Sequence, residues 1–406
     1  MRISRSVTVS AAAAAGVTAA LLAGCGNGDP VRPAPAASAA PPHGYVEGAE
    51  ERAEPQSRLV LADAATGAVR VLDPATGKVT PAATVPGPRG VTTDGRFAHV
   101  AGAGGTRVID SGAWTTDHGD HVHYYRAAIR DLGEIPGRRA VRAHGDPART
   151  ALTHDDGTTG LLDRTALERG RLTAPVPAPG GGSGPVVPYR ERLLVSGTGP
   201  ARDTVEIRER GGARRAVLPQ RCAEPRGAAV TRRGAVLGCA DGALLVSERN
   251  GTFTALRIPY PGPAPAARDR AADFRHRPGA TTLAAPAGPD SVWLLDAAER
   301  RWTRVRTGPV LAANTAGEGT PLLVLTRDGV LRAYDPATGR ETAREQLIAP
   351  VPEGGTGTVI EIDTSRAYVN DERAAKVYEI DYRDDLRTAR TFSPGLAPSF
   401  MTETGR

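Results

Sequence analysis

The sequence predicts an all-β fold, and three observations carry that reading. Beyond residue 57 the chain is a series of short runs of Val, Leu, Ile and Tyr, each ended by a Gly/Asp turn. No stretch there sustains the 3.6-residue apolar period of an amphipathic helix. One layout also recurs, in units that start near Leu59, Ala98, Thr150, Leu193, Ala235, Thr282, Leu322 and Ala367, a spacing of roughly 40–50 residues that is the size of one propeller blade. The fold class predicted is therefore a β-propeller, in which small sheets stand around a central channel. The terminal units can share a blade, so seven or eight blades both fit. Two packed β domains are the alternative.

Taken in order, the chain begins with Arg2 and Arg5 ahead of an apolar, small-residue run from Val7 to Ala23. A charged start followed by such a run is a secretory signal, and it is too short and too rich in Ala, Ser and Thr for a membrane span. It closes on Leu22-Ala23-Gly24-Cys25, which resembles a bacterial lipobox. That resemblance implies a signal peptide over residues 1–24 and lipidation of Cys25, which becomes the mature N-terminus. Residues 25–57 are rich in Pro and Ala without hydrophobic periodicity. They are expected to form a lipid-anchored linker that holds the body, residues 58–406, away from the membrane.

Each unit of the body reads strand, turn, strand, turn. The first and seventh share the turn DPATG, at Asp73–Gly77 and Asp335–Gly339. Asp-Gly pairs at 156–157, 241–242 and 328–329 favour tight hairpins. Cys222 and Cys239 are the only cysteines besides Cys25. In an exported chain they are expected to form a disulfide that staples adjacent strands, with a thiolate metal site as the alternative. The formal charge is +6, falling to +4 when Arg2 and Arg5 leave. The excess is dispersed and little interleaved with aromatic residues, which excludes a nucleic-acid surface.

The chemical signal is a histidine cluster. Three of eight histidines fall within six residues, in Asp117-His118-Gly119-Asp120-His121-Val122-His123-Tyr124-Tyr125. In an extended segment His121 and His123 point to one face, and His118 lies just before them on a glycine-containing turn. Three converging imidazoles suit zinc, and copper or nickel are chemically acceptable. Asp117 and Asp120 are candidate oxygen ligands or acceptors for the ring N–H groups. His144 and His154, in the next unit, are candidates for a further ligand. His99 lies in a strand, where a core or a surface role is expected; Trp293 is expected in the core, and Trp114, beside the cluster, is expected to pack.

The stretch VIDSGAWTTDHGDHVHYY (108–125), the paired cysteines in RC and VLGCADG, and the C-terminal run from Tyr368 to Arg406 together resemble the zinc metallochaperones of the AztD type. The resemblance covers most of residues 58–406, and the histidine stretch is its most specific part. It implies an extracytoplasmic β-propeller that binds zinc and passes it to the solute-binding protein of a zinc ABC importer. By position it implies zinc ligation by His118, His121 and His123, with Asp120 and with His144 from the next unit. The family's later histidines are missing here, where the chain reads Cys222-Ala223-Glu224-Pro225 and Val186-Val187-Pro188-Tyr189.

Two other classes compete. A metal-free propeller that docks a partner would leave the histidines incidental. A propeller hydrolase or lactonase would use the same metal with one bound water, but no Gly-x-Ser-x-Gly elbow and no His-Glu-x-x-His motif occurs. The expectation is a carrier rather than an enzyme.

Overall fold

The computed structural model describes residues 45–118, 121–180, 184–355 and 357–405. The signal peptide and Cys25 lie outside the described residues, as does Asp120. Among the described residues no helix is long and apolar enough to cross a membrane.

Eight antiparallel sheets form eight blades. Blade two runs Gly90–Thr93, Phe97–Ala101, Gly105–Asp110 and Arg130–Pro136 in sheet order. Blades three, four, five, seven and eight repeat this four-strand meander, beginning at Ala140, Val186, Arg226, Val310 and Ile360. Blade six keeps three strands, Thr282–Pro286, Ser291–Asp296 and Arg301–Arg306. A single bridge between Arg275 and Ala284 stands where the other blades have a first strand. Blade one takes its inner strand, Phe400–Thr404, from the C-terminus and its other three from Arg58–Ala62, Ala68–Leu72 and Val79–Thr84. Register is explicit: Arg58 stands opposite Thr404 and Ala62 opposite Phe400.

All eight repeat units start on the second strand of a blade. The number is therefore eight, because each terminal unit owns a blade and the two ends share only its strands. Second strands are the most legible because both of their faces are buried. Arg58–Ala62 and Leu322–Thr326 are buried at every residue, so they read as apolar runs. Outer strands such as Arg214–Val217 are wholly exposed and read as polar.

The core is not one mass but eight clusters, one per blade-to-blade interface. Alternation along a strand sends successive side chains to opposite neighbours. Leu59 and Leu61 pack toward blade eight with Tyr368 and Val377, while Val60 and Ala62 pack toward blade two with Ala98 and Val100. Leu283 and Trp293 face blade five, whereas Ala284 and Leu294 face blade seven. Trp293 is buried and donates from its indole N–H to the Asp269 carbonyl at 2.8 Å.

The two DPATG turns are one structure used twice, linking the third and fourth strands of blades one and seven. Gly77 donates to the Asp73 carbonyl and Gly339 to that of Asp335, each at 2.8 Å. Cys222 and Cys239 are bonded to each other. The bond does not join two adjacent strands: it ties the connection entering blade five to the end of that blade's second strand, Gly234–Cys239. The Cys222 backbone N–H donates to Asp203 of blade four, so the disulfide sits at the seam between the two blades.

A ninth, smaller sheet departs from the repeat. Between the third and fourth strands of blade two, the chain makes a hairpin of Ala113–Asp117 and Val122–Arg126, and Glu50–Arg52 pairs with its second strand. Regular pairing therefore starts before residue 58, inside the segment expected to be linker.

Candidate metal centre

The hairpin is anchored from its base and exposed at its tip. Gly112 turns the chain out of blade two with φ of +70°, and a Cβ there would lie 2.4 Å from the Ala127 carbonyl oxygen. Arg58 donates to the carbonyls of Ser111 and Ala127. Thr115 donates to the Gly405 carbonyl at 2.7 Å, and Arg126 reaches the Asp73 carboxylate at 2.6 Å. The hairpin thus lies on the face of the ring where the chain closes. Trp114 and Tyr125 stand opposite each other in register, both buried, with ring centroids 5.3 Å apart. The buried Arg96 guanidinium stacks on Trp114 at 3.6 Å, which is the packing role expected of that tryptophan. Arg96 is itself paired with Asp110 at 3.0 Å. From core to tip the order is Arg96, Trp114, Tyr125, His123, the last two with centroids 6.1 Å apart.

At the tip the His118 backbone N–H donates to the His121 carbonyl at 3.0 Å, closing the turn. The three rings converge. Centroid separations are 4.9 Å for His118 and His121, 5.4 Å for His118 and His123, and 4.9 Å for His121 and His123. One ligating nitrogen from each lies within 4.8 Å of the others. Zn–N bonds of about 2.0–2.1 Å place tetrahedral ligands about 3.4 Å apart. Small side-chain rotations at an exposed tip reach that spacing, so the residues fit a zinc ion. Three imidazoles also leave a fourth position open to another ligand. His123 Nδ1 is 2.6 Å from Oε1 of Glu51, on the strand preceding the body. Nothing in the sequence pointed to Glu51, because it meets His123 only by pairing across 72 residues.

His144 does not join this cluster. It lies on Ala140–Gly145, the first strand of blade three, and borders a cavity of about 350 Å³ in the central channel. Other blades contribute Arg275, His276, Asn314, Glu361 and Thr402 to the same cavity. Burial, with Arg142 and His276 nearby, pushes His144 down to about 4, so it is neutral at pH 7. Among the described residues the only group of three ligating side chains is His118, His121 and His123. His144 stands on an inner strand, whereas the hairpin leaves blade two between its third and fourth strands. His276 donates from Nε2–H to the Val230 carbonyl at 3.0 Å; its place in an Arg-rich connection gave no sign of the channel.

His154 and His99 are structural. His154 is buried, with Nδ1 3.2 Å from the Thr158 hydroxyl, and burial pushes its ionisation down. His99 is fully buried with Nε2 3.6 Å from Asp94, which makes it a core rather than a surface residue. Burial alone would raise Asp94, but the Arg164 guanidinium at 3.1 Å, the adjacent His99 ring and the hydrogen bond from the Thr150 hydroxyl hold it well below the usual carboxylate range.

Neither a family model nor a curated protein matches the sequence. Solved structures do. The crystal structure of Citrobacter koseri AztD superposes with a TM-score of 0.71 at 20% identity, over 86% of this chain and 98% of that one. The chain has the AztD fold. The apo form of the same protein gives 0.71 at 19% identity. Dihydro-heme d1 dehydrogenase NirN in complex with DHE gives 0.54 at 16% identity, over 87% of this chain and 76% of that one. The match spans nearly the whole length of that neighbour, so the likeness is one of overall fold rather than a local match.

Proposed function

We propose that this protein is an extracytoplasmic zinc carrier, tethered through Cys25, that hands zinc to the solute-binding protein of a zinc ABC importer. The observation that carries the reading is the triad His118, His121 and His123, two of its rings exposed, on an anchored hairpin, borne on the AztD fold. Zinc is the cargo here, and the chemistry of the donors suits transfer. Three imidazoles bind firmly, while an open fourth position at the surface lets an incoming ligand attach before the first three let go. The buried hairpin base keeps the tip presented. The Cys222–Cys239 disulfide accords with an oxidising compartment.

The test is zinc titration of the protein against a competing chelator, beside the triple variant His118→Ala/His121→Ala/His123→Ala. Stoichiometric binding by the wild type and a loss of at least 100-fold in the variant are expected, because all three imidazoles are gone. Transfer to a zinc solute-binding protein is then measured directly. A folded wild type that takes up no zinc would sink the reading.

A further inference from the structure

We propose that Glu51 is a positioning residue of the histidine centre, so that the segment leading in from the membrane tether forms part of the metal site. The inference rests on the zinc reading above and deepens it.

The geometry comes from strand pairing. Glu50–Arg52 runs antiparallel to Val122–Arg126, with Glu51 opposite Tyr125. Side chains two apart on a strand share a face, so Glu51, Tyr125 and His123 lie on one side of the sheet. Glu51 Oε1 then meets His123 Nδ1 at 2.6 Å. Glu50 points to the other face and pairs with Arg52.

A carboxylate on one ring nitrogen fixes the tautomer and the ring orientation, and leaves the other nitrogen to bind metal. Among the described residues the side chains whose ligating atoms are mutually close are the three histidines, without Glu51. It therefore stands behind His123 rather than in the ligand set. Both partners are partly exposed, with side-chain exposures of 44% for Glu51 and 22% for His123. A pair in that setting contributes little to folding, so its effect falls on the orientation of one ligand.

The strand that carries Glu51 is weakly held. It has three residues, all exposed, and one neighbour in the sheet. Short edge pairings open at low cost compared with the rest of a domain. Docking of this strand presents His123 with its ring fixed, and undocking releases the ring and weakens the site. Zinc retention is in this way coupled to the state of the tether.

The experiment compares the full-length wild type with Glu51→Ala, Glu51→Gln and Glu50→Ala. Two readouts are used: zinc affinity by chelator competition, and the ring-nitrogen NMR signals of His123 in the metal-free protein. Glu51→Ala is expected to weaken zinc binding by about 10- to 100-fold and to mix the His123 tautomers. Glu51→Gln, whose amide oxygen still accepts from Nδ1–H, should keep most of the affinity. Glu50→Ala should match the wild type. Unchanged affinity and unchanged His123 signals in Glu51→Ala would overturn the inference and leave the zinc reading standing. Equal weakening by Glu50→Ala would also overturn it, by tracing the effect to surface charge. A wild type that binds no zinc would remove the zinc reading first, and the inference with it.

Discussion

Burial in the channel, with Arg142 and His276 beside it, moves the His144 imidazole from its ordinary value near 6.5 to about 4. Between those values the unfolded chain takes up a proton that the folded chain refuses. Folding stability from this residue is therefore intact above about pH 6.5 and is lost as pH falls toward 4. The loss is at most about 3 kcal/mol. Denaturant unfolding of His144→Gln and wild type across that window should show the wild type losing more; parallel pH curves would contradict it. The residue also shows what sequence reading can reach. The triad His118, His121 and His123 was legible because its members are neighbours in the chain and one turn gathers them. Membership of His144 was misread, and Glu51 was unseen, because strand pairing rather than sequence proximity decides which side chains meet.

The hairpin is the element on which the site depends, and its weakest point is the glycine at its root. Gly112 holds a positive φ, and a Cβ would fall 2.4 Å from the Ala127 and 2.6 Å from the Ala128 carbonyl oxygen. Gly112→Ala should cost about 1–3 kcal/mol of local strain and disturb the Trp114–Tyr125 stack, with zinc affinity falling although no ligand is touched. Trp114 fluorescence and chelator competition would follow both effects, and an unchanged affinity would separate the tip from its base. The DPATG turns and the apolar second strands gave the repeat away in the sequence. Outer strands did not, because a solvent-facing strand such as Glu341–Gln346, exposed at five of its six residues, reads like a loop. The first strand of blade six escaped for another reason: only the bridge at Arg275 and Ala284 survives of it.

Across the whole molecule, stability is distributed over eight interfaces, each dependent on both neighbouring blades. Seven join units adjacent in sequence; the eighth joins blade eight to blade one and needs the C-terminal strand. Deleting residues 400–406 should therefore do more harm than the loss of one strand. It removes the inner strand of blade one together with Met401 from the last interface, and it unseats the hairpin contact at Gly405. Cooperative unfolding should broaden or shift by several degrees, and protection of blade-one amides should fall first in hydrogen exchange. A sharp, unmoved transition would show that the ring does not need its clasp. The fold class and the unit count were readable because the repeat is written eight times over. The identity of the strand that closes the ring was not, since Phe400–Thr404 is recognised only by its partner Arg58–Ala62. The hydroxyl of Thr404 donates to the carbonyl of Arg58 across 346 residues, so this pairing joins the two ends of the propeller. Contacts of such separation form late and slowly, because the entropy of bringing the ends together precedes any reward. Blade one waits, incomplete, until Phe400–Thr404 has emerged, and during that interval its strand Arg58–Ala62 is an open edge.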